Sequence, residues 1–367
     1  MASQYRVLFA EFMSGDVWGE LPVTDLSFSR VINAPGSASV KVPLWAFDWQ
    51  ALQPWRVLVY IQRGQQIMWG GPLVGFGVDL ENEEATLNCL GLWEYYRHRL
   101  ITYDAVFIQR DQGAIVKALL QDFADGTGQY PWNTGPQALS WDGSAATGVL
   151  RDRTYRGYER KGVGQAVEDM AGVRDGFDFR IDHYWFGSRI VNTFRLGPPS
   201  GVPADLVLEH GVTCDIPSFT VDGTAMVTEA AVTGGGEADD QLAAWWYNLP
   251  LEGDASRRIP RLSAVESRQD VTSVDTLTGY AQQIVSEGST PVTIPAVRLY
   301  AHADPDPGDL QVGQQARVRA RVGGRLVVNG GYKITEVSVK LTDGGEETTL
   351  ALVPGEVFAS VGSAAKP

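Results

Sequence analysis

Apolar and polar residues alternate along most of the first hundred positions, with the period of two that is typical of β-strands. The alternating runs are short, and turn-forming pairs such as Pro35-Gly36 and Arg63-Gly64 separate them. The apolar positions of these runs are Leu26, Phe28, Ile32, Ala38, Val40, Val42, Leu44, Val57, Val59, Ile61, Ile67 and Trp69. Several short strands at this spacing predict an antiparallel β-barrel or β-sandwich.

The pattern changes after Leu100, where helical spacing appears. Asp111 is placed to cap a helix that runs to about Phe123, and a second helix is predicted over residues 163–171. Residues 125–150 are rich in Gly, Trp, Pro and Ser and are predicted to form a long loop. A hairpin with strict alternation follows over residues 177–196. Residues 103–212 are therefore predicted to be an α+β insert domain.

Strand character returns from about Thr213 and continues through residues 226–232, until three glycines interrupt it at residues 234–236. A polar, Trp-containing loop and a helix near residues 274–285, capped by Thr272 or Ser273, are predicted next. Strands then resume near residue 297 and continue to the C-terminal region. The sequence predicts a second β module from residues 213–235 and 296–360, interrupted by a helical insert over residues 236–295. The last residues, 361–367, are predicted to be disordered.

One stretch occurs in two similar copies, over residues 70–87 and 330–350. Each copy has a double glycine, an alternating run that ends in Val-x-Leu, a polar turn with two glutamates, and a second strand that begins at Thr-Leu. The copies are too far apart for a solenoid period, so we interpret them as one β module used twice. The alternative interpretation is that any two β-hairpins look alike.

Composition places the chain among ordinary globular proteins. It has 367 residues, which is enough for two to four domains, and 44% of them are hydrophobic. No stretch resembles a signal peptide or a membrane anchor, so synthesis in the cytoplasm is expected. The net charge of −14 argues against a surface that grips phosphate groups, although nucleic acid could pass such a surface without binding. Cys89 is predicted to be a small buried hydrophobe, and a bridge to Cys214 has no supporting signal.

No motif for catalysis or cofactor binding is present, and we predict no catalytic, cofactor-binding or metal-binding residues. The four histidines are scattered, without the spacing of a zinc site, and no nucleophile motif or phosphate-binding loop occurs. Two of the many carboxylates could face each other across a glycosidase cleft, and a sequence does not exclude that. The segment from Asp304 to Asp309 has carboxylates but also stiff prolines, so we interpret it as a rigid turn and not as a calcium site.

Two groups of residues are candidate interface residues. Trp245, Trp246 and Tyr247 form an aromatic cluster that we predict to be an exposed contact patch. The three arginines that alternate with small apolar residues near the C-terminus share one strand face. These arginines, Arg317, Arg319 and Arg321, could be a solvated face, an inter-subunit salt-bridge surface or a channel wall.

The arrangement of two β modules around an α+β domain resembles the tail hub, or baseplate hub, proteins of tailed bacteriophages and related injection machines. Residues 307–318, Pro-Gly-Asp-Leu-Gln-Val-Gly-Gln-Gln-Ala-Arg-Val, are similar to the Pro-Gly-Asp-x-x-x-Val-Gly segment with which the second barrel of those proteins begins. Residues 54–59 and 67–71 look like the corresponding part of the first barrel, although Trp-Arg stands where the motif has Gly-Asp. Within that family the resemblance is to minor tail proteins of long-tailed phages.

The resemblance implies a mainly β fold with two tube-protein-like β-barrel modules, the first over residues 1–102, and the α+β and helical inserts described above. It also implies a structural homotrimer with six similar modules, which joins a six-fold tail tube to a three-fold tail tip in the virion. The implied partners are distal tail or tail tube proteins, the tape-measure protein and downstream tail-tip or fibre proteins. DNA would pass through the channel without specific binding, and no cofactor or membrane anchor is expected.

Three alternatives remain open from the sequence. A virion adhesin would bind host-wall glycan through exposed tryptophans. A wall-degrading glycosidase would have an acidic cleft. The hub of a contractile injection system or of a tail-like bacteriocin would keep the fold but belong to another machine.

Overall fold

The computed structural model describes residues 5–48, 50–121, 139–141, 146–173, 175–236, 241–248, 259–268, 271, 273–289, 292–300, 304–342 and 345–354. These residues form a mainly β protein with few helices, as the alternation predicts. The strands are β1 (Tyr5–Glu11), β2 (Val17–Glu20), β3 (Asp25–Val31), β4 (Ser37–Pro43), β5 (Val57–Arg63), β6 (Gln66–Asp79), β7 (Glu84–Leu90), β8 (Ala105–Asp111), β9 (Leu139–Trp141), β10 (Leu150–Tyr155), β11 (Asp178–Phe186), β12 (Arg189–Gly197), β13 (Val207–Glu209), β14 (Cys214–Asp222), β15 (Glu229–Thr233), β16 (Ala243–Tyr247), β17 (Ser263–Ser267), β18 (Val292–Leu299), β19 (Gln315–Val322), β20 (Arg325–Thr342) and β21 (Gly345–Pro354).

The helices are α1 (Trp93–Arg97), α2 (Gln112–Gln121), α3 (Val163–Ala171) and α4 (Val274–Gly288). No helix in the described ranges is both long and apolar enough to cross a membrane. Asp111 accepts hydrogen bonds from the backbone N–H groups of Gly113 and Ala114 at 2.8 and 3.3 Å, as a residue capping α2 should. Ser273 stands at the N-cap of α4, but its side chain makes no capping bond. Phe123, Thr272 and the predicted disordered tail lie outside the described residues.

Most strands belong to one large sheet, whose hydrogen-bond order runs β14-β18-β21-β20-β3-β4-β7-β6-β11-β12-β9. The remaining strands of this sheet attach at its sides: β5, β1 and β2 follow β6 in that order, and β19 and β13 follow β20. Nearly all pairings are antiparallel, as the turn-separated alternation predicts. Among the described residues the order is an open path and not a closed barrel.

The two β regions have the same strand arrangement. The first half of β6 pairs with β5 and its second half pairs with β7. In the same way, β20 pairs with β19 through its first half and with β21 through its second half. Beyond these strands, β4 and β3 follow β7, and β18 and β14 follow β21. The two regions differ in that β1 joins β5 in the antiparallel sense, whereas β13 joins β19 in the parallel sense.

The two regions are joined edge to edge through β3 and β20. These strands pair in the antiparallel sense, with Phe28 opposite Val339 and Ser29 opposite Ser338. One hydrophobic core cluster therefore includes side chains from both regions, such as Val40, Leu87, Val318 and Leu350. Burial of this continuous apolar layer fixes the two modules against each other.

A second core lies between the first β region and the α+β unit. It contains the buried faces of α2 and α3 together with Trp93 and Tyr96 of α1. The hairpin of β11 and β12 contributes Phe179 and Phe194, whose rings stack with centroids 5.4 Å apart. The α3 helix and this hairpin occupy the positions that the sequence predicts.

A small separate sheet with the order β16-β15-β17 packs against α4 and forms a third core. The sequence places residues 226–232 in the second β module, but β15 pairs only with β16 and β17 among the described strands. The predicted polar loop also contains the strand β16. The chain leaves the large sheet after Asp222 and returns at Val292, and these two residues lie opposite each other in the ladder.

A buried polar cluster connects three parts of the chain. Asp178, at the start of β11, accepts a hydrogen bond from Asn33 of the β3–β4 turn at 3.0 Å. The side-chain oxygen of Asn33 in turn accepts a bond from the backbone N–H of Phe179 at 2.6 Å. Lys333 of β20 donates to Asp178 and to the carbonyl oxygen of Pro199, both at 2.9 Å. This cluster holds both β regions against the α+β unit.

Candidate assembly surfaces

The aromatic cluster of residues 245–247 lies on the edge strand β16 of the small sheet. Trp245 lies opposite Ala231 in the ladder, and Ala231 lies opposite Val265 of β17. Residues directly opposite each other share a face of a sheet, so Trp245 and Val265 flank Ala231 on the face away from α4. Trp245 is 58% exposed and Val265 is 74% exposed, which makes this face apolar and open.

Trp246 and Tyr247 are also exposed, and they point to opposite faces of β16 because successive side chains alternate. Trp246 lies opposite Ala230, which belongs to the core under α4, so its ring stands at the margin of that core. The cluster therefore has the exposure that the sequence predicts, but on a strand and not in a loop. The flanking residues Asp239, Asp240 and Glu252 lie outside the described residues.

Arg317, Arg319 and Arg321 lie on β19, where the intervening Ala316, Val318 and Ala320 are buried. The guanidinium groups therefore point away from the core. Arg317 donates to the side-chain oxygen of Asn329 at 3.4 Å, and no acidic side chain in the described part of the chain forms an ion pair with the three arginines. This arginine row and the aromatic cluster lie on different sheets, so the structure does not combine them into one site.

A groove of about 670 Å³ crosses the junction between the two β regions. Its wall combines serine, asparagine and threonine side chains with apolar ones, and its charged lining residues are Glu336, Lys340 and Glu347. The other lining residues are Ser27, Phe28, Ser29, Ser37, Ala38, Ser39, Val74, Asn88, Cys89, Leu90, Ser338, Val339 and Thr349. Alternation predicts that these serines face away from the core, but only the β3–β20 pairing brings them together with β20 and β21.

The free edges of the large sheet are a further surface that sequence reasoning missed. Among the described strands, β14 pairs only with β18 along residues 218–222, and it ends the sheet order. The second half of β6 pairs only with β7 among the described residues. Unpaired strand edges are ready to accept another strand, and proteins usually cover them. The exposed residues at these edges include Val78 and Leu80 on one side and Phe219 and Val221 on the other.

Arg63 and His183, two side chains that could take part in chemistry, form contacts within the fold. Arg63 forms ion pairs with Asp306 and with Glu346, so one of the carboxylates of the predicted rigid turn, Asp306, has a cationic partner. His183 is partly buried, and its Nδ1 lies 2.7 Å from the side-chain oxygen of Asn192. Burial lowers the pKa of His183, and the hydrogen bond to Asn192 opposes that shift.

Within the described residues, no group of three or more His, Cys, Asp or Glu side chains lies close enough together to hold a metal ion. Cys89 and Cys214 are both buried and free, so they do not form a bridge. His302 lies outside the described residues.

Solved structures with a similar fold include prophage tail proteins. The 43 kDa tail protein of prophage MuSo2 from Shewanella oneidensis matches with a TM-score of 0.62 and 9% identity, over 96% of this chain and 99% of that one. A tail protein from Neisseria meningitidis MC58 matches with a TM-score of 0.64 and 12% identity, over 97% of this chain and 98% of that one. The prophage tail protein gp18 from Listeria monocytogenes EGD-e matches with a TM-score of 0.55 and 11% identity, over 94% of each chain.

These matches cover both β regions and the α+β unit, so the whole chain shares the fold of these tail proteins. No protein-family model matches the sequence, and no curated protein sequence matches it. The similarity is thus one of fold, at sequence identities of 9% to 12%.

Proposed function

We propose that this chain is a structural, non-enzymatic protein of a phage tail, which forms a trimeric ring at the tail tip. The observation that carries this proposal is the repeated strand arrangement of β3 to β7 and of β14 with β18 to β21. Three chains with two equivalent modules each present six similar units around one axis. Such a ring fits a six-fold tail tube on one side and a three-fold tail tip on the other.

The modules of this ring are the strands that the sequence assigns to residues 1–102 and to residues 213–235 with 296–360, apart from β15. In the assembled ring each module completes a small barrel of the tail-tube type. The α+β unit of residues 103–212 and the small sheet with α4 are then peripheral additions to the ring. Similarity to the full length of three tail proteins supports this division, because the modules and the additions all have counterparts there.

The ring surrounds the channel for DNA and the tape-measure protein. The groove across β3 and β20 supports this role, since its wall carries small polar groups with only one basic side chain. A wall of this kind offers few cations to phosphate groups, and the net charge of −14 adds general repulsion. DNA would therefore slide past without specific binding.

The exposed groups outside the groove are proposed contacts with other tail proteins. The apolar face around Trp245 would receive a downstream tail-tip or fibre protein, or a distal tail protein, because exposed aromatic side chains are favoured at protein interfaces. Arg317, Arg319 and Arg321 project from β19 and would pair with acidic groups of a neighbouring subunit or tail tube protein.

One alternative function has an observation in its favour. Exposed aromatic rings such as Trp245 also stack on sugars, so an adhesin that binds cell-wall glycan is the second candidate. A glycan array probed with the purified protein and with Trp245→Ala separates the candidates. Binding that the substitution abolishes would favour the adhesin.

The proposed function is tested by the oligomeric state and shape of the purified chain. We expect light scattering to give three times the chain mass of 39.9 kDa. Negative-stain images should show a ring with six lobes. A different subunit number, or a chain that stays monomeric at every concentration tested, would contradict the proposal.

A further inference from the structure

The outer strands of the two modules correspond residue by residue. In the first module Asp25 of β3 lies opposite Lys41 of β4, and in the second Asp215 of β14 lies opposite Arg298 of β18. Continuing along the strands, Phe28 lies opposite Ala38 and Phe219 lies opposite Pro295. A bulge adds one residue to β14 between these points. Phe219 is therefore the counterpart of Phe28.

The long strands β6 and β20 correspond in the same way. Both carry an irregularity in the ladder, between Leu73 and Gly75 in β6 and between Ile334 and Glu336 in β20. After it, Phe76 lies opposite Leu87 and Val337 lies opposite Leu350. Two residues further on, Val78 is the counterpart of Val339. Val78 and Val339 are 261 residues apart, whereas the double glycines of the sequence repeat, at Gly70 and Gly330, are 260 residues apart. The strand pairing and the glycines therefore align the two copies with a difference of one residue.

The counterparts differ sharply in exposure. Phe28 and Val339 face each other where β3 pairs with β20, and only 3% and 2% of their surfaces are exposed. Phe219 and Val78 have no such partner strand in the described chain, and they are 41% and 40% exposed. Burial of apolar surface stabilises association, and open strand edges promote it. The edges of β3 and β20 thus cover each other inside the chain, whereas the equivalent edges of β14 and β6 are open at the two ends of the double module.

We infer that residues 218–222 of β14 in one copy pair in the antiparallel sense with residues 75–79 of β6 in the next copy, and repeat the internal β3–β20 junction. This inference rests on the proposed function and gives the ring its subunit interface. The equivalence sets the register, with Phe219 opposite Val78 and Thr220 opposite Gly77. Asp222 then faces Gly75 and Asp79 faces Ser218.

This register does not bring like charges together, because the carboxylates of Asp222 and Asp79 lie at opposite ends of the ladder. It is also a head-to-tail contact, since two different edges meet. One operation relates the modules within a chain, and the same operation relates the second module to the first module of the next chain. Repetition therefore turns a chain with two modules into a closed ring of evenly spaced modules. A second copy of this chain is the occupant that this symmetry specifies, in preference to an unrelated strand.

The experiment introduces cysteines at the proposed contact. A variant with both Val78→Cys and Phe219→Cys is oxidised under mild conditions and run on a denaturing gel without reductant. We expect covalent dimers and trimers. The matched control carries Val78→Cys and Val265→Cys, because Val265 is also exposed but lies on the small sheet. The native cysteines are buried and should not contribute.

The outcomes separate this inference from the proposed function. Light scattering could show a trimer in which the control variant crosslinks and the Val78→Cys, Phe219→Cys variant does not. That result would overturn the inferred register but would agree with the proposed trimer. Crosslinked chains of open-ended length would support the edge contact and contradict the closed trimer. Monomers without crosslinks would overturn both.

A second pair of variants guards against damage from the cysteines. Phe219→Asp places a charge in the proposed contact and should raise the concentration for half-assembly at least tenfold, with an unchanged melting temperature of the monomer. Val265→Asp should leave assembly unchanged. Equal assembly by the two variants would overturn the inference.

Discussion

Lys333 and Asp178 form a buried ion pair, with Nζ and Oδ2 2.9 Å apart and both side chains almost fully withdrawn from solvent. The lysine belongs to the second β region and the aspartate to the α+β unit, and Asn33 of the first β region shares the same carboxylate. One carboxylate therefore orients three separate parts of the chain. Burial raises the pKa of Asp178, and the charge of Lys333 opposes that shift.

Replacing Lys333 alone should destabilise the fold strongly. Lys333→Met leaves the Asp178 carboxylate buried without its counter-ion, which typically costs about 3–5 kcal/mol. The double variant Lys333→Met with Asp178→Asn should recover part of the loss, because it removes the isolated charge. Urea unfolding at neutral pH measures the free energy of unfolding of the single and the double variants. A double variant that loses the sum of the single losses would contradict this coupling.

The two double glycines should differ in their tolerance of alanine. A Cβ on Gly71 would lie 1.9 Å from the carbonyl oxygen of Leu90, whereas a Cβ on Gly331 would meet no atom within 4 Å. Gly71→Ala should therefore cost more than the usual overpacking penalty of about 1–3 kcal/mol. Gly331→Ala should be close to neutral and is the matched control. Thermal unfolding of the two variants makes the comparison, and equal losses would contradict the close approach of β6 to Leu90.

Protonation of His183 should destabilise the fold in mildly acidic solution. Because burial lowers its pKa in the native state, the unfolded chain binds the proton more readily below the ordinary pKa of about 6.5. The contribution of neutral His183 is complete above that pH and is lost progressively as the pH falls, by at most about 1.4 kcal/mol per pH unit.

Urea midpoints between pH 5 and pH 8 test this dependence. His183→Gln should be less stable at pH 8 but show a shallower fall towards pH 5. An unchanged slope in His183→Gln would assign the acid sensitivity to other groups.

Both cysteines should be inert in the folded protein. Burial raises the pKa of Cys89 to about 12 and that of Cys214 to about 11, and both thiols are enclosed in the first core. A thiol reagent at pH 8 should therefore react with neither thiol until denaturant is added, and then with both. Fast labelling of one thiol without denaturant would indicate local opening of its strand, either β7 or β14.

The sequence predicts the local elements of this fold better than their partners. The helix over residues 163–171 has the bounds of α3, because one apolar stripe and its flanking glycines define it. The hairpin over residues 177–196 is equally clear, since both strands alternate strictly. Alternation also predicts the strand character of residues 229–233, but hydrogen bonding to β16 and β17 decides the sheet to which this strand belongs. Partner choice depends on non-local packing, which the local pattern does not contain.

Candidate surfaces follow the same rule. Trp245 is exposed, and its role as a contact residue stays a prediction. The outward direction of Arg317 follows from its alternation with buried residues. Asp178 and Lys333 look like ordinary solvent-facing charges in alternating strands, so their burial could not be predicted without the packing of three units. The open edges at Val78 and Phe219 are recognised only after the internal junction shows what covers their counterparts.

The placement of the small sheet has a consequence for how such proteins diversify. Its chain leaves and re-enters the large sheet at Asp222 and Val292, which face each other at one end of a hairpin. A unit attached at a single hairpin end can be lost, enlarged or exchanged for another without shifting the ladder that holds it. Evolution, or a designer, can therefore vary that unit as a cassette while the remainder of the chain keeps its geometry.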